Sequence, residues 1–230
     1  MIIIPARLGS TRFPNKPLAK ILGKEMIVRV CEVCSGISET WVAVPDKQLM
    51  KFVNSKGFKA VMTGQHCTGT DRVAEAINYI NDDPDNIYIN VQGDAPTVSA
   101  FDLLSLFIEK KKYPNHVIGT MCRKTHNNEN VVKVVQNAGQ LIYMTREGDA
   151  KYRQCGLYAF NRQELELFAS VSNKKEVQRK YENIELMRFI DIGYPVRMLE
   201  VEGGPEVDVP EDVEIVERFL KNRKLVKVKA

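Results

Sequence analysis

Residues Ile2 to Lys16, IIIPARLGSTRFPNK, restrict the chain more than any other stretch. An apolar start runs into Pro5, and its β-branched residues predict a buried strand, because such side chains pack well on a pleated surface. Pro5 and Gly9 stop that strand and open a loop. Successive backbone N–H groups in such a loop can form a concave anion site, and Arg7, Arg12 and Lys16 supply positive charge around it. Gly9, Ser10 and Thr11 supply the small and hydroxylated positions between those cations. Three cations so close behind a first strand suit a polyphosphate better than a solvated turn, the alternative reading being an ordinary basic surface loop. The loop is not a P-loop, since GxxxxGK followed by Ser or Thr is absent, and no GxGxxG follows the strand.

The rest of the chain alternates. Helical spacing covers Glu25 to Cys34, and Trp41 to Val44 is a short strand ending at Pro45. Asp46 is placed to cap a helix running to about Ser55. Lys59 to Met62 reads as a strand, Asp71 to Ile80 as a helix, and Ile87 to Val91 as a buried strand ending in Gln-Gly-Asp. Phe101 to Ile108 is helical, with Lys110 to Lys112 at its solvated end. Strands alternating with helices predict a parallel sheet with right-handed crossovers. Residues 117–160 then read as consecutive strands: Val117 to Cys122, Val131 to Val135, Leu141 to Thr145 and Gly156 to Phe160, with a turn at Asn137-Ala-Gly139. Helices at Arg162 to Ala169 and Tyr181 to Ile192, a strand at Val196 to Val201 and a helix from Pro210 complete the chain. The expectation is one α/β domain over 1–230, a doubly wound, mostly parallel sheet with an antiparallel β excursion at 117–160. Ligands of such sheets bind at the carboxyl ends of the strands.

Bulk properties exclude several classes. No apolar run approaches the ~20 residues of a membrane span, and no signal peptide precedes the first strand, so a cytoplasmic protein is expected. The net charge of +4 comes from the end of the chain, where Lys221, Arg223, Lys224, Lys227 and Lys229 occur without an acid. Removing those five from the 33 basic residues leaves 28 against 29 acidic ones, which gives no basic face for nucleic acid. That tail is expected to be a solvated end. Five cysteines are an odd number and point to reduced thiols. Cys31 and Cys34 form a CxxC, yet no second pair accompanies them, and MIVRVCEVC reads as one apolar helical face with the thiols in the core.

Five segments carry a family resemblance. IIIPARLGSTRFPNKPLAKILGKEMIVRV, HCTGTDR (His66 to Arg72), NVQGDAP (Asn90 to Pro96), NVVKVV (Asn130 to Val135) and VDVPED (Val207 to Asp212) resemble, in order, motifs of the 3-deoxy-manno-octulosonate (Kdo) cytidylyltransferases. The resemblance implies a Rossmann-like nucleotidyltransferase fold, transfer of CMP from CTP to a 3-deoxy-2-ulosonic acid with release of pyrophosphate, Mg²⁺ as cofactor, a role in lipopolysaccharide synthesis and a homodimer. A different acid sugar, such as an 8-amino derivative, is the rival within the enzyme class, and a nucleotide-binding protein without catalysis is the rival outside it.

Residue by residue, the resemblance makes Arg7, Arg12, Lys16 and Asp94 catalytic, and Asp94 and Asp208 the metal ligands. Asp is also favoured at turns and caps, which would equally explain either. Thr70, Asp71 and Arg72 fall in the segment beside the nucleotide, with Gly69 permitting close approach and Arg72 able to reach phosphate or Asp94. Thr70 or Asp71 would also serve as a helix cap. Gln92 is placed near the cytosine or the sugar. Lys133, Arg146, Gln154, Tyr158, Glu182 and Glu185 match acceptor-side positions. Alternation within Val131 to Val135 gives Lys133 a second reading, on the solvent side of a strand. Glu182, Glu185 and Arg188 keep an ExxExxR spacing that a solvated helix would also show. Two departures concern the acceptor side. The family's His is Gln154 and the Gln beside its helix glutamate is Leu186. Between Arg146 and Gly156 only Glu147 to Cys155 remain of a longer loop, which predicts weak or absent dimerisation there and an altered acceptor preference.

Overall fold

The computed structural model describes residues 1–80, 83, 85–123 and 131–228, with side chains of the last helix up to 223. Asn130 of the NVVKVV segment and the side chains of Lys224, Lys227 and Lys229 lie outside the described residues. In chain order the elements are β1 (Ile2–Pro5), a 3₁₀ turn (Lys16–Leu18), β2 (Lys20–Ile21), β3 (Lys24–Glu25), α1 (Met26–Ser35), β4 (Thr40–Val44), α2 (Lys47–Ser55), β5 (Lys59–Met62) and α3 (Gly69–Ala76). They continue with β6 (Tyr88–Val91), α4 (Ala100–Lys112), β7 (Val117–Arg123), β8 (Lys133–Asn137), β9 (Gln140–Thr145) and β10 (Tyr152–Phe160). Then come α5 (Arg162–Ser170), α6 (Lys174–Lys180), α7 (Met187–Asp191), β11 (Val196–Glu200) and α8 (Asp212–Val228).

The sheet runs β5-β4-β1-β6-β10-β7-β11-β9-β8. Its first four strands are parallel, and β10 enters antiparallel between β6 and β7. The strands of 117–160 are therefore the antiparallel excursion, and β8 pairs with β10 as well as β9, curling that half back on itself. Ile3 packs with Val73, Ala76 and Ile77 of the α3 region, while Ile2 and Ile4 pack with α1, α2 and α4. Such alternation along one strand, buried on both faces, is what a doubly wound sheet requires. Cys31 and Cys34 lie in the second of these layers, where burial pushes the Cys31 thiol up to about 12 and raises Cys34 further.

The strand order reverses between β1 and β6, so the loops after these two strands open on a common crevice. Gly93 is needed there, since a Cβ on it would stand 3.0 Å from the Pro5 carbonyl oxygen. At the other side of the crevice, Val207 and Val216 bury with Ile21 and Met26, which fastens α8 to the β2–β3 hairpin.

Several local expectations are corrected. Asp46 stands at the N-cap of α2 as expected, but its side chain makes no capping bond; its carboxylate accepts the Leu8 N–H at 2.9 Å and so holds the basic loop. The helix expected at Asp71 to Ile80 starts at Gly69 and ends at Ala76, and Thr68 is its cap, accepting the Asp71 N–H at 3.1 Å. Lys110 is not solvated but 1% exposed, with its ammonium 2.7 Å from the Glu164 carboxylate and on the carbonyls of Pro114 and His116. Lys133 is likewise buried, donating to the Arg146 carbonyl, because β8 is covered by the curled sheet. The helix expected over Tyr181 to Ile192 is broken: Glu182 and Asn183 take φ of 52° and 61°, and α7 begins only at Met187. The last helix starts at Asp212, whose carboxylate accepts the N–H groups of Asp208 and Val209. Arg223, assigned to a solvated tail, fastens α8 to the Thr97 carbonyl and Glu202. Among the described residues no helix is long and apolar enough to cross a membrane.

Candidate active site

The crevice at the ends of β1 and β6 holds a cavity of about 550 Å³, the size of small-molecule sites in general. Its walls include Arg7, Ser10, Thr11, Arg12, Lys16, Arg72, Gln92, Asp94, Arg146, Glu185 and Asp208. Five cations and two aspartates thus meet in one space, from five separate stretches of sequence.

Lys16 is positioned by a short turn. Asn15 adopts a left-handed φ of 56°, which Asn tolerates better than most residues, and Pro17 fixes the following turn. The Lys16 ammonium then lies 2.6 Å from Asp94 Oδ2, 2.9 Å from the Val207 carbonyl and 3.9 Å from Asp208 Oδ1. The Val207 N–H donates back to the Asp94 carbonyl at 3.0 Å, which locks the two acidic segments side by side. Arg12 completes the group with a contact of 3.0 Å to Asp208 Oδ1, at the exposed rim. Asp208 is therefore not a helix cap, and Asp94 is not merely a turn former.

Arg72 is 3% exposed, and its guanidinium donates to Thr63 Oγ1 at 2.7 Å and the Gly64 carbonyl at 3.0 Å rather than to Asp94. Burial and then the nearby Arg7 guanidinium lower its proton affinity. Two cations held against each other on a cavity wall favour an anion between them. His66 reaches the same wall, its ring on the Glu75 carboxylate, and exposed Cys67 follows it.

Gly69 brings the start of α3 onto Gln92; a Cβ there would meet the Gln92 side chain at 2.9 Å and Pro5 at 3.1 Å. Glu185 closes this corner. Its carboxylate accepts the N–H groups of Gly69 (2.9 Å) and Thr70 (3.1 Å), the Thr70 hydroxyl, and the Gln92 amide at 3.4 Å. Burial raises its pKa, against the pull of those donors.

Some candidates are turned away from the cavity. Thr70 is fully buried between Glu185 and Asn90. Asp71 is buried in a bidentate pair with Arg188 at 2.7 and 3.0 Å, because the helical step that aims Arg72 outward aims its neighbour inward. Tyr158 is 2% exposed in the core and takes the Gln154 amide on its hydroxyl, so neither reaches the cavity wall. Lys133 is spent on the Arg146 carbonyl. Glu182 binds Thr145 Oγ1 at 2.8 Å and the Arg146 N–H at 2.9 Å, steadying the cavity wall without lining it. Gly9 sits on the exposed crest of the basic loop.

Sequence reasoning missed Asn183, which lines the cavity, and Glu206. Glu206 accepts the Gly156 N–H at 2.7 Å, and burial followed by the charge of Asp94 raises its pKa to about 7. Its place two residues before Asp208 in an extended stretch was the available signal. No group of three or more His, Cys, Asp or Glu side chains forms a metal cage among the described residues. Two carboxylates beside a cationic anion site nevertheless fit Mg²⁺, which is commonly held by one or two carboxylates together with substrate phosphates.

Comparison with known proteins gives concordant matches. A family model described as cytidylyltransferase covers residues 1–197. The 3-deoxy-manno-octulosonate cytidylyltransferase of Escherichia coli is 34% identical, over 96% of this chain and 95% of the relative. An 8-amino-3,8-dideoxy-manno-octulosonate cytidylyltransferase of Shewanella pealeana is 33% identical, over 95% and 97%. A solved structure of CMP:2-keto-3-deoxy-manno-octonic acid synthetase complexed with CTP superposes with a TM-score of 0.83 at 33% identity, over 96% of this chain and 98% of that one.

Proposed function

The chain belongs to the cytidylyltransferase family, and from that premise we propose that it transfers CMP from CTP to a 3-deoxy-2-ulosonic acid of the Kdo type and releases pyrophosphate. The observation that carries this reading is the convergence of Arg7, Arg12, Lys16 and Arg72 with Asp94 and Asp208 on one cavity.

In the reaction a hydroxyl of the acceptor gives up its proton to solvent as its oxygen forms a bond to the α-phosphorus of CTP, and the bond from that phosphorus to the bridging oxygen of the β-phosphate breaks. Charge accumulates on the departing pyrophosphate. Arg7, Arg12, Lys16 and Arg72 hold and neutralise it, and this positioning and charge stabilisation is most of what phosphoryl transfer asks of a protein. Asp94 and Asp208 would hold Mg²⁺, which when bound supplies Lewis-acid polarisation of phosphate oxygens. Glu185 and Gly69 keep the Gln92 corner rigid, and Arg146 offers a cation to the acceptor carboxylate. Of the stretch from Glu147 to Cys155 only Glu147 to Lys151 precede β10, which begins at Tyr152, and the shortness and polarity of that segment support weak or absent self-association through this region.

The test is pyrophosphate release from CTP against a panel of acid sugars that includes Kdo and its 8-amino analogue. Release that needs both CTP and an acid sugar supports the proposal. Binding of CTP without release under any acceptor would make the protein a nucleotide binder instead.

A further inference from the structure

Asn183 has no assigned role, yet it is the one neutral amide that the turn before α7 sends into the cavity, on the wall it shares with Arg146 and Glu185. Its backbone φ of 61° follows a φ of 52° at Glu182, two successive left-handed residues that are not glycine. Asn tolerates such a conformation better than most residues, but a glutamate does not, and at Glu182 it persists because the surroundings enforce it. Here it is enforced from both sides. Upstream, the Glu182 carboxylate takes bonds from Thr145 Oγ1 and the Arg146 N–H. Downstream, the Glu185 carboxylate takes the N–H groups of Gly69 and Thr70 at the start of α3. The Asn183 N–H itself is tied to the Gln178 carbonyl at 2.8 Å.

The clamps on either side are satisfied by the protein, whereas the Asn183 side-chain amide has no hydrogen-bond partner among the described residues. It is exposed to the cavity and can both donate and accept. Backbone strain of this kind gathers at ligand sites. An uncharged amide suits the hydroxyl groups of a sugar, and the same cavity is lined by Arg146, a cation that suits the sugar's carboxylate.

Resting on the function proposed above, we infer that Asn183 is a specificity-determining residue that hydrogen-bonds the polyhydroxylated tail of the acceptor sugar. Asn183→Gly is the informative variant, because glycine adopts this φ without strain and removes only the amide. Its melting temperature stays at or above that of the wild type. Its KM for the acid sugar rises about three- to tenfold, the range of one neutral hydrogen bond, while KM for CTP stays within about twofold. Asn183→Asp replaces a neutral group with an anion, and shifts the kcat/KM ratio toward the 8-amino analogue over Kdo by about tenfold. An active Asn183→Gly enzyme with unchanged acceptor KM, together with an Asn183→Asp enzyme of unchanged acceptor ratio, overturns the assignment. A wild type that turns over no acid sugar overturns the function beneath it, and the two failures are told apart by the wild-type assay alone.

Discussion

Lys16 and Asp94 stand 78 positions apart in sequence and 2.6 Å apart in space, and this contact joins the cationic loop after β1 to the acidic turn after β6. Asp208 lies 3.9 Å from the same ammonium, so one lysine spans both carboxylates assigned to magnesium. The positive and negative halves of the site therefore share one centre.

Asp94→Asn and Asp208→Asn each keep the size of the side chain and remove a charge that would hold Mg²⁺. Turnover should fall by at least about a hundredfold in each, with circular dichroism and melting behaviour close to wild type. Chelation of Mg²⁺ should abolish wild-type turnover reversibly. Steady-state kinetics at saturating Mg²⁺ decide the matter, and near-normal turnover in either variant would remove that residue from the site.

Arg12 is more than half exposed, so its ion pair with Asp208 adds little to folding. Arg12→Ala should leave the melting temperature of the free protein nearly unchanged. The added stability conferred by CTP with Mg²⁺, about 2.7 kcal/mol at a hundred times Kd for the wild type, should fall sharply at the same CTP concentration. CTP should also protect better than ATP or GTP. Equal protection by all three in thermal-shift measurements would count against a cytidine site.

The buried pair of Asp71 and Arg188 is a structural device. Arg188 is 1% exposed, lies over the Phe168 ring at 3.8 Å, and also binds Gln178 and the Phe168 carbonyl. Arg188→Met leaves the buried Asp71 carboxylate only the Thr68 hydroxyl at 2.8 Å and the half-buried Lys174 ammonium at 3.5 Å, and should destabilise the fold by about 3 kcal/mol at neutral pH. Burial opposes ionisation of Asp71, but the bonds from Arg188 win and its pKa lies below the ordinary 3.8. A depressed carboxylate stabilises above its unfolded value and loses that contribution as pH falls through the folded one. The gap between variant and wild type in denaturant unfolding should accordingly shrink as the pH is lowered toward and below 3.8. A gap independent of pH would contradict the pairing.

Cys67 is the exposed thiol and lines the cavity, whereas Cys31, Cys34, Cys122 and Cys155 are buried. Alkylation of the native protein should therefore modify one thiol quickly, and saturating CTP should slow that reaction. Mass spectrometry of the labelled chain reads both results; rapid labelling of Cys31 or Cys34 would contradict the packing of α1.

The parallel half of the fold was legible because its signals are local. Ile2 to Ile4 before Pro5, and Ile87 to Val91 before Gly93, announce buried strands ending at a ligand edge. The basic loop and Asp94 follow directly from those ends. What stayed hidden depends on distant partners. Burial of Lys110 needs Glu164, 54 positions on, and burial of Lys133 needs the curl of the excursion. The spacing of Glu182, Glu185 and Arg188 fits a helix, but their carboxylates and guanidinium are drawn to three different neighbours, and the chain breaks into left-handed turns to reach them. Thr70, Asp71 and Arg72 are consecutive, and only the orientation of α3 reveals that one faces the cavity and two do not.

This cavity is expected to transfer CMP to an acid sugar. Phosphorus NMR of CTP mixed with enzyme, Mg²⁺ and Kdo or its 8-amino analogue tests it most directly, since product phosphodiester and pyrophosphate give separate resonances. One phosphodiester-linked CMP-sugar and one pyrophosphate for each CTP consumed, with no reaction when the sugar is omitted, is the predicted result. Hydrolysis of CTP to free CMP, or persistence of CTP with every acid sugar, would contradict it.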